Sequence, residues 1–147
     1  MGFLPGNEKQ KAQVYERPYK EICDDLFDRG DGWNILKMKR LVDFETTSFL
    51  RGTTFYDSLV LVDECENMTF KELDTIMTRV GENTRIVFSG DYRQTDLNKP
   101  HDKSGIKEFM SITRKMQCFE HVEFSMADIV RSGTVKDYII QRTEMGF

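Results

Sequence analysis

The stretch Ser58-Leu59-Val60-Leu61-Val62-Asp63-Glu64 decides the fold of this chain, because four consecutive aliphatic residues run directly into two carboxylates. A short apolar run without polar alternation predicts a strand that is buried on both faces, as in a parallel sheet covered by helices. Ligands of open α/β sheets bind beyond the carboxyl ends of the strands. We therefore expect Asp63 and Glu64 to lie at the ligand-binding edge of a sheet.

Adjacent acids at such an edge suit two chemical tasks. One carboxylate can hold a magnesium ion, usually through water, while its neighbour polarises an attacking water molecule. This pattern is Walker-B-like, and it would form the acidic half of a nucleotide site. The alternative is a strand that simply meets a solvated loop.

The composition indicates one domain with a sizeable core. The chain has 147 residues, of which 39% are hydrophobic and 31% are charged. Its net charge of −4 argues against general coating of nucleic acid. No apolar run approaches the roughly 20 residues that span a bilayer, and the N-terminus lacks a signal-peptide pattern. Cys23, Cys65 and Cys118 are widely spaced and form neither a CxxC pair nor the spacing of zinc ligands, so they are expected to be reduced thiols. A cytoplasmic protein without membrane attachment is therefore expected.

The first part of the chain is expected to be mainly helical. The first 17 residues read as an extended or loosely helical lead-in, and Pro18 suits the first turn of a helix. The apolar spacing of residues 19–27 continues that helix, and the glycines of residues 28–32 end it. A short basic helix at 33–40 and a short strand at 41–45 are expected to follow.

The second part alternates strands and helices. Thr69 and Glu72 form a T-x-x-E capping box, and Gly81 is expected to end that helix in a left-handed conformation. Beyond it we expect a strand at 85–89, a polar loop at 92–103, a helix at 104–116, a strand at 121–125 and a helix at 134–142. The residues expected to be buried on the three helices are Phe70, Leu73, Ile76, Met77 and Val80; Ile106, Phe109, Met110 and Met116; and Val135, Tyr138 and Ile139. This order predicts a parallel sheet with right-handed crossovers.

A second acid follows the second strand in Gly90-Asp91-Tyr92-Arg93-Gln94. The amide of Gln94 both donates and accepts hydrogen bonds, so it could contact a terminal phosphate and an attacking water. Together, Asp63-Glu64 and Gly90-Asp91-x-x-Gln94 resemble the second and third motifs of superfamily 1 helicase-type ATPases.

The order and spacing of further motifs resemble the PhoH-like family, most closely the PhoH-like proteins of tailed bacteriophages. These motifs are Gly2-Phe3-Leu4-Pro5-Gly6, Arg17-Pro18, Phe49-Leu50-Arg51-Gly52-Thr53-Thr54, Leu61-Val62-Asp63-Glu64-Cys65-Glu66-Asn67, Thr78-Arg79-Val80-Gly81, Gly90-Asp91-x-x-Gln94-x-Asp96-Leu97, Ser104-Gly105 and Asp128-Ile129-Val130-Arg131-Ser132. The resemblance implies an α/β fold, namely a partial RecA-like or helicase-like P-loop NTPase fold with helices on both faces of a parallel sheet. It also implies one ATPase domain over residues 1–147, a phage-encoded protein in the host cytoplasm, and the family's association with phosphate starvation.

One family element is missing from these residues. The resemblance places Gly2-Phe3-Leu4-Pro5-Gly6 downstream of a phosphate loop of the G-x-x-x-x-G-K-[ST] type, and none of the ten glycines forms that pattern. Such a loop holds phosphates with backbone N–H groups and a lysine. The sequence therefore resembles the C-terminal portion of a PhoH-like ATPase. A truncated gene, a split gene and a partial sequence all remain open.

The resemblance assigns roles around ATP and Mg²⁺. It implies that Asp63 holds magnesium, Glu64 is the base for water attack, Gln94 senses the terminal phosphate and Asp91 supports the metal. Glu66 departs from the glutamine expected at its position, which adds negative charge near the phosphates. Cys65 is expected to be a small core residue and not a reactive thiol.

Two arginines are candidates to meet phosphate charge. Arg51 and Arg131 could do so, across a subunit boundary as an arginine finger. For each, a structural ion pair with a nearby acid such as Asp128 is the alternative. The resemblance further implies assembly into a homo-oligomeric ring and action on RNA or single-stranded nucleic acid.

Two other functions are compatible with the same residues. The chain could be a non-catalytic remnant or interaction module that keeps the fold. It could also be a metal-dependent nuclease in which Asp63, Glu64, Asp91 and Asp96 form a carboxylate cluster.

Overall fold

The computed structural model describes residues 8–47, 50, 52–91 and 105–146, and of residues 8–11 it describes the backbone alone. The chain divides into two compact units, residues 1–107 and residues 108–147. The first unit contains the sheet and the helices that position the acidic edge. The second contains the C-terminal helix.

The first unit has the predicted α/β organisation. Strand β1 (Leu59–Val62) pairs in parallel with strand β2 (Arg85–Phe88), and helix α3 (Phe70–Met77) lies between them in the chain. The register places Val62 beside Phe88, so both strands end at the same level. The predicted α/β class with a parallel sheet is confirmed.

The two faces of β1 differ in exposure. Val62 is buried, whereas the side chains of Leu59 and Leu61 are 64% and 69% exposed. Side chains alternate between the two faces of a strand, and Val87 of β2 is also exposed on the face of Leu61. The prediction that β1 is buried on both faces is therefore wrong. Within the described residues, one face of this strand pair is open to solvent.

The first N-terminal helix is longer than the sequence pattern indicates, and the second is close to its predicted length. Helix α1 spans Glu8–Leu26 and helix α2 spans Gly32–Met38. From residue 8 onward the structure agrees with the helical alternative for the lead-in and not with the extended one, and Pro18 lies inside α1 instead of at its first turn. Proline cannot donate its backbone hydrogen bond within a helix. Contacts on both sides of Pro18 support the helix, since Glu16 accepts from the indole of Trp33 at 2.9 Å and Asp24 accepts from the Trp33 backbone at 3.1 Å.

The strands predicted at 41–45 and 121–125 are wrong, because residues 42–46 and 119–125 have no regular structure. Short alternating segments become strands only where a partner strand is available. Local bonds compete in both places. The Asp43 carboxylate accepts from the Phe44 backbone at 2.9 Å, and Asp128 accepts from the Ser125 hydroxyl at 2.8 Å at the start of a 3₁₀ turn.

Helix α3 begins as predicted. The Thr69 backbone N–H donates to Glu72 at 2.8 Å, and the Thr69 hydroxyl accepts from the Glu72 backbone at 3.4 Å. Leu73 and Ile76 are buried as expected, whereas Phe70 is 39% exposed.

The end of α3 differs from the prediction. The helix ends at Met77 with a right-handed Thr78, so the left-handed stop at Gly81 is wrong. Gly81 instead allows close approach of the chain, since a Cβ there would lie 2.5 Å from the Phe55 carbonyl oxygen.

The capping box gives a measurable contribution to stability. We expect Thr69→Ala to lower the free energy of unfolding by about 1 kcal/mol, because the first turn of α3 loses its side-chain cap. Urea denaturation followed by circular dichroism measures the change. Thr78→Ala at the other end of α3 is the control and is expected to cost less. Equal losses in the two variants would contradict a capping role for Thr69.

Helix α4 spans Ile106–Thr113, shorter than predicted, and the proposed cap Ser104 lies outside the described residues. Ile106 and Phe109 are buried as expected.

In the second unit, Phe119 packs edge-on against Phe109 at 6.4 Å. Helix α5 spans Gly133–Glu144, which confirms the predicted closing helix, but Val135 and Tyr138 are exposed instead of buried. Among the helices that the structure describes, none has the length and apolar character needed to cross a membrane.

Candidate functional site

Backbone pairing continues past the two strands and builds the acidic edge. The Ser89 N–H donates to the Val62 carbonyl at 2.8 Å, and the Cys65 N–H donates to the Ser89 carbonyl at 3.1 Å. These two bonds hold the turn at Asp63 and Glu64 against the end of β2. The acids therefore lie where ligands of α/β sheets bind.

Asp63 is held by three donors. Its Oδ1 accepts from the Ser89 hydroxyl at 2.7 Å and from the Glu64 backbone N–H at 3.1 Å. Its Oδ2 accepts from the Tyr19 hydroxyl at 2.7 Å. Burial alone would raise the pKa of Asp63, but the bonds from Ser89, Tyr19 and the Glu64 backbone outweigh it and hold the pKa below its ordinary value. Asp63 is therefore an ionised, oriented carboxylate at neutral pH.

Glu64 has a strained backbone. Its φ of 53° and ψ of 37° place it in the left-handed region, immediately before the 3₁₀ turn Cys65–Asn67. A non-glycine residue in this region costs on the order of 1 kcal/mol and persists where its surroundings fix it. The strain allows the chain to turn within one residue, so that consecutive carboxylates stand together at the edge of the sheet.

Glu66 is a buried carboxylate beside Glu64. It is 4% exposed, and the Asn67 amide donates both to Glu66 at 3.1 Å and to Glu64 at 3.3 Å. Burial raises the pKa of Glu66, and a hydrogen bond to Glu64 raises it further. A hydrogen bond that the Asp91 backbone N–H donates to Glu66 lowers this pKa, but the net direction is upward. Two carboxyl groups can share a hydrogen bond only through a proton. Burial and the contact with Glu64 therefore shift Glu66 toward its protonated form.

The residues around Glu66 are closely packed. Cys65 is buried, and burial followed by the charge of Glu66 raises the pKa of its thiol to about 11, so it stays protonated. This supports the prediction of a core residue and not a reactive thiol.

A Cβ at Gly90 would overlap the Glu66 carboxylate and lie 3.0 Å from the Cys65 sulfur. Glycine at position 90 therefore allows the end of β2 to approach this turn closely.

The structure brings together part of the predicted site. Asp63, Glu64 and Asp91 lie at one edge, and Asp91 reaches the turn through its backbone bond to Glu66. Gln94, Arg51 and Asp96 lie outside the described residues, so their roles stay predictions.

Arg131 is exposed immediately before α5 in the second unit. Its suggested ion-pair partner Asp128 instead accepts from the Ser125 backbone at 2.6 Å and from the Ser125 hydroxyl. Among the acids that the structure describes, none forms an ion pair with Arg131. Its proposed role toward phosphate stays a prediction.

Two residues whose hydroxyl groups bond to Asp63 at this edge, Ser89 and Tyr19, are not among the site residues predicted from the sequence. Ser89 could have been found, because it follows β2 in the same register as Asp63 follows β1. Tyr19 gave no such signal, since it lies 44 residues before Asp63 and on a helix. Its contact depends on tertiary packing alone.

Removal of the Glu66 carboxylate is expected to stabilise the protein. The pKa of Glu66 is raised above its ordinary value of 4.5, so the unfolded state ionises first and stability falls as pH rises above that value. Glutamine cannot ionise, and we expect Glu66→Gln to raise the free energy of unfolding at pH 7 by about 1 kcal/mol. The gain should vanish near pH 4.

Urea denaturation at several pH values measures this effect. Glu82→Gln, at an exposed position before β2, is the control and should show no comparable gain. The expected difference is the free energy of unfolding of Glu66→Gln minus that of the wild type. A smaller difference at pH 7 than at pH 4 would contradict the expectation.

Comparison with known proteins identifies relatives over nearly the whole chain. A family model described as PhoH-like protein matches residues 1–142. The PhoH-like protein of Bacillus subtilis is 29% identical over 139 residues, which cover 95% of this chain and 43% of the relative. Protein PhoH of Escherichia coli is 29% identical over 133 residues, covering 90% of this chain and 37% of the relative. This chain therefore spans about two fifths of the length of these relatives.

Proposed function

This chain belongs to the PhoH-like protein family, and from that premise we propose that it supplies the metal-holding and water-activating edge of an ATP-binding and ATP-hydrolysing site. The observation that supports this most is the Asp63 carboxylate. It lies at the carboxyl end of β1, is held by Ser89 from the end of β2, and precedes Glu64 directly. Acids in this arrangement suit a metal–phosphate complex and the water that attacks it.

The donor chemistry at Asp63 fits Mg²⁺. Magnesium prefers oxygen ligands and is commonly held by one or two carboxylates together with substrate phosphates and water. The described residues contain no cluster of three or more His, Cys, Asp or Glu side chains able to hold a metal ion. Asp63 would therefore hold the ion with phosphate oxygens and water. When bound, Mg²⁺ would neutralise phosphate charge and polarise the terminal phosphoryl group.

Glu64 would accept the proton of the attacking water. Its carboxylate follows Asp63 directly, and its left-handed backbone fixes it at the turn. Glu66 lies beside it, and burial followed by the bond to Glu64 raises the pKa of Glu66. A general base of this kind contributes roughly 10²–10⁴-fold to a rate.

The remaining roles in the proposal follow the family resemblance. Gln94 would contact the terminal phosphate and the attacking water, and Asp91 would support the metal. Arg51 and Arg131 would meet phosphate charge, and the exposed position of Arg131 suits contact with a neighbouring subunit. Ring assembly and action on RNA or single-stranded nucleic acid belong to the same proposal.

Release of phosphate from Mg-ATP tests this function. We expect the 147-residue chain to release phosphate in a Mg²⁺-dependent reaction that Asp63→Asn removes. Asp57→Asn is the matched control, because Asp57 precedes the opposite end of β1 and asparagine tolerates its left-handed backbone, with φ of 47°. Phosphate release that Asp63→Asn leaves unchanged, or none from a folded sample, would contradict the proposal.

A further inference from the structure

A side chain from outside the strands contacts the candidate metal ligand. The Tyr19 hydroxyl on α1 donates to Asp63 Oδ2 at 2.7 Å. Neither the family motifs nor the two strands require this bond. The bond links the N-terminal helix to the acidic edge. Its acceptor is the carboxylate that would hold Mg²⁺ in the proposed function.

The hydrogen bonds to Asp63 are unevenly distributed between its two oxygens. Among described residues, Oδ1 accepts from the Ser89 hydroxyl and from the Glu64 backbone, whereas Oδ2 accepts from Tyr19 alone. A carboxylate oxygen has two acceptor sites. The remaining acceptor capacity of Asp63 therefore lies on Oδ2, the oxygen that Tyr19 contacts.

The position of Tyr19 is itself fixed. Its ring packs against Phe44 with 5.6 Å between the ring centroids and an interplanar angle of 37°. Burial, followed by the bond to Asp63, raises the pKa of Tyr19 to about 12, so its hydroxyl remains a donor at neutral pH. A donor whose ring is packed in place holds the carboxylate in one orientation at lower entropic cost than a mobile side chain would.

We propose that Tyr19 is a positioning residue for the divalent cation of this site, because its hydroxyl and that of Ser89 hold the Asp63 carboxylate from opposite oxygens. This inference rests on the proposed function, in which Asp63 holds the metal. Hydrogen-bond partners of ligating carboxylates commonly change metal affinity 10–100-fold when they are removed. If the Tyr19 hydroxyl instead competed with the cation for Asp63 and had to leave before the cation binds, its removal would raise the metal affinity.

The test is a Mn²⁺ titration of the ¹⁵N-labelled chain without nucleotide. Paramagnetic broadening that is strongest at the Glu64 and Ser89 amide signals, compared with the rest of the chain, reports metal at this edge. Tyr19→Phe removes the hydroxyl and keeps the ring that packs on Phe44. Tyr15→Phe, on the same helix, is the matched control.

We expect the Mn²⁺ midpoint to rise roughly 10-fold in Tyr19→Phe and to stay unchanged in Tyr15→Phe. In the wild type, the ¹³C signal of the Tyr19 ring carbon that bears the hydroxyl should shift with Mg²⁺ at the midpoint of the Glu64 amide. This second measurement needs no variant.

An equal or lower Mn²⁺ midpoint in Tyr19→Phe would overturn the positioning role and leave the proposed function intact. A Tyr19 signal that does not respond to Mg²⁺ would also overturn it. If Mn²⁺ still broadens the Glu64 and Ser89 signals in Asp63→Asn, cation binding does not depend on Asp63. In that case the proposed function fails together with this inference.

Discussion

Replacement of Glu64 by glutamine is expected to leave Mg-ATP binding intact and to lower the hydrolysis rate roughly 10²–10⁴-fold, because the amide cannot accept the proton of the attacking water. Glutamine has nearly the same size and can still accept the bond that the Asn67 amide donates to Glu64 at 3.3 Å. The backbone of the turn should therefore persist. Single-turnover phosphate release measures the rate, and equilibrium binding of Mg-ATP is measured on the same samples.

The control for this variant is Glu82→Gln, which removes an exposed carboxylate at the other end of the sheet. It should change neither binding nor hydrolysis. If Glu64→Gln hydrolyses ATP at the wild-type rate, Glu64 is not the base. If it loses binding as well, the residue acts in holding the nucleotide and not in activating water.

Gly105→Ala is expected to be the most destabilising single substitution considered for this chain. A Cβ at Gly105 would overlap the backbone N and Cα of Phe70 and lie 2.6 Å from its Cβ. These atoms open helix α3, and the Gly105 N–H donates to the Met68 carbonyl at 3.0 Å, so the two segments cannot easily separate. Overlap with backbone atoms cannot be relieved by a rotamer change. We expect a loss of about 3 kcal/mol or more in the free energy of unfolding.

Gly30→Ala is the matched control for Gly105→Ala. A Cβ at Gly30 would have no atom within 4 Å, so this substitution should be neutral or slightly stabilising. Urea denaturation midpoints of the two variants measure the difference. Similar midpoints would contradict the close approach of residue 105 to the start of α3.

The acidic edge was predictable because it depends on local sequence order. An apolar run followed by acids places Asp63 and Glu64 at a strand end, and parallel pairing places the end of β2 beside them. The capping box of α3 was predictable for the same reason, since Thr69 and Glu72 are three residues apart and bond each other directly.

Features that depend on distant partners were not predictable. Alternation at 41–45 and 121–125 suggests strands, but only a neighbouring strand could make them so. Pro18 suggests a helix start, but Trp33 and Lys37 both bond to Glu16, two residues before Pro18, and support a longer α1. The contact of Tyr19 with Asp63 also depends on how α1 packs, and no spacing in the sequence indicates it.

Calorimetric titration of the folded chain with Mg-ATP, in parallel with Asp63→Asn, tests the central claim most directly. The account predicts a Mg²⁺-dependent binding signal in the wild type that Asp63→Asn weakens at least tenfold, because the variant loses the ionised carboxylate at the end of β1. Equal binding by both proteins, or no binding by a sample that melts cooperatively, would contradict the assignment of a metal–nucleotide site to this edge.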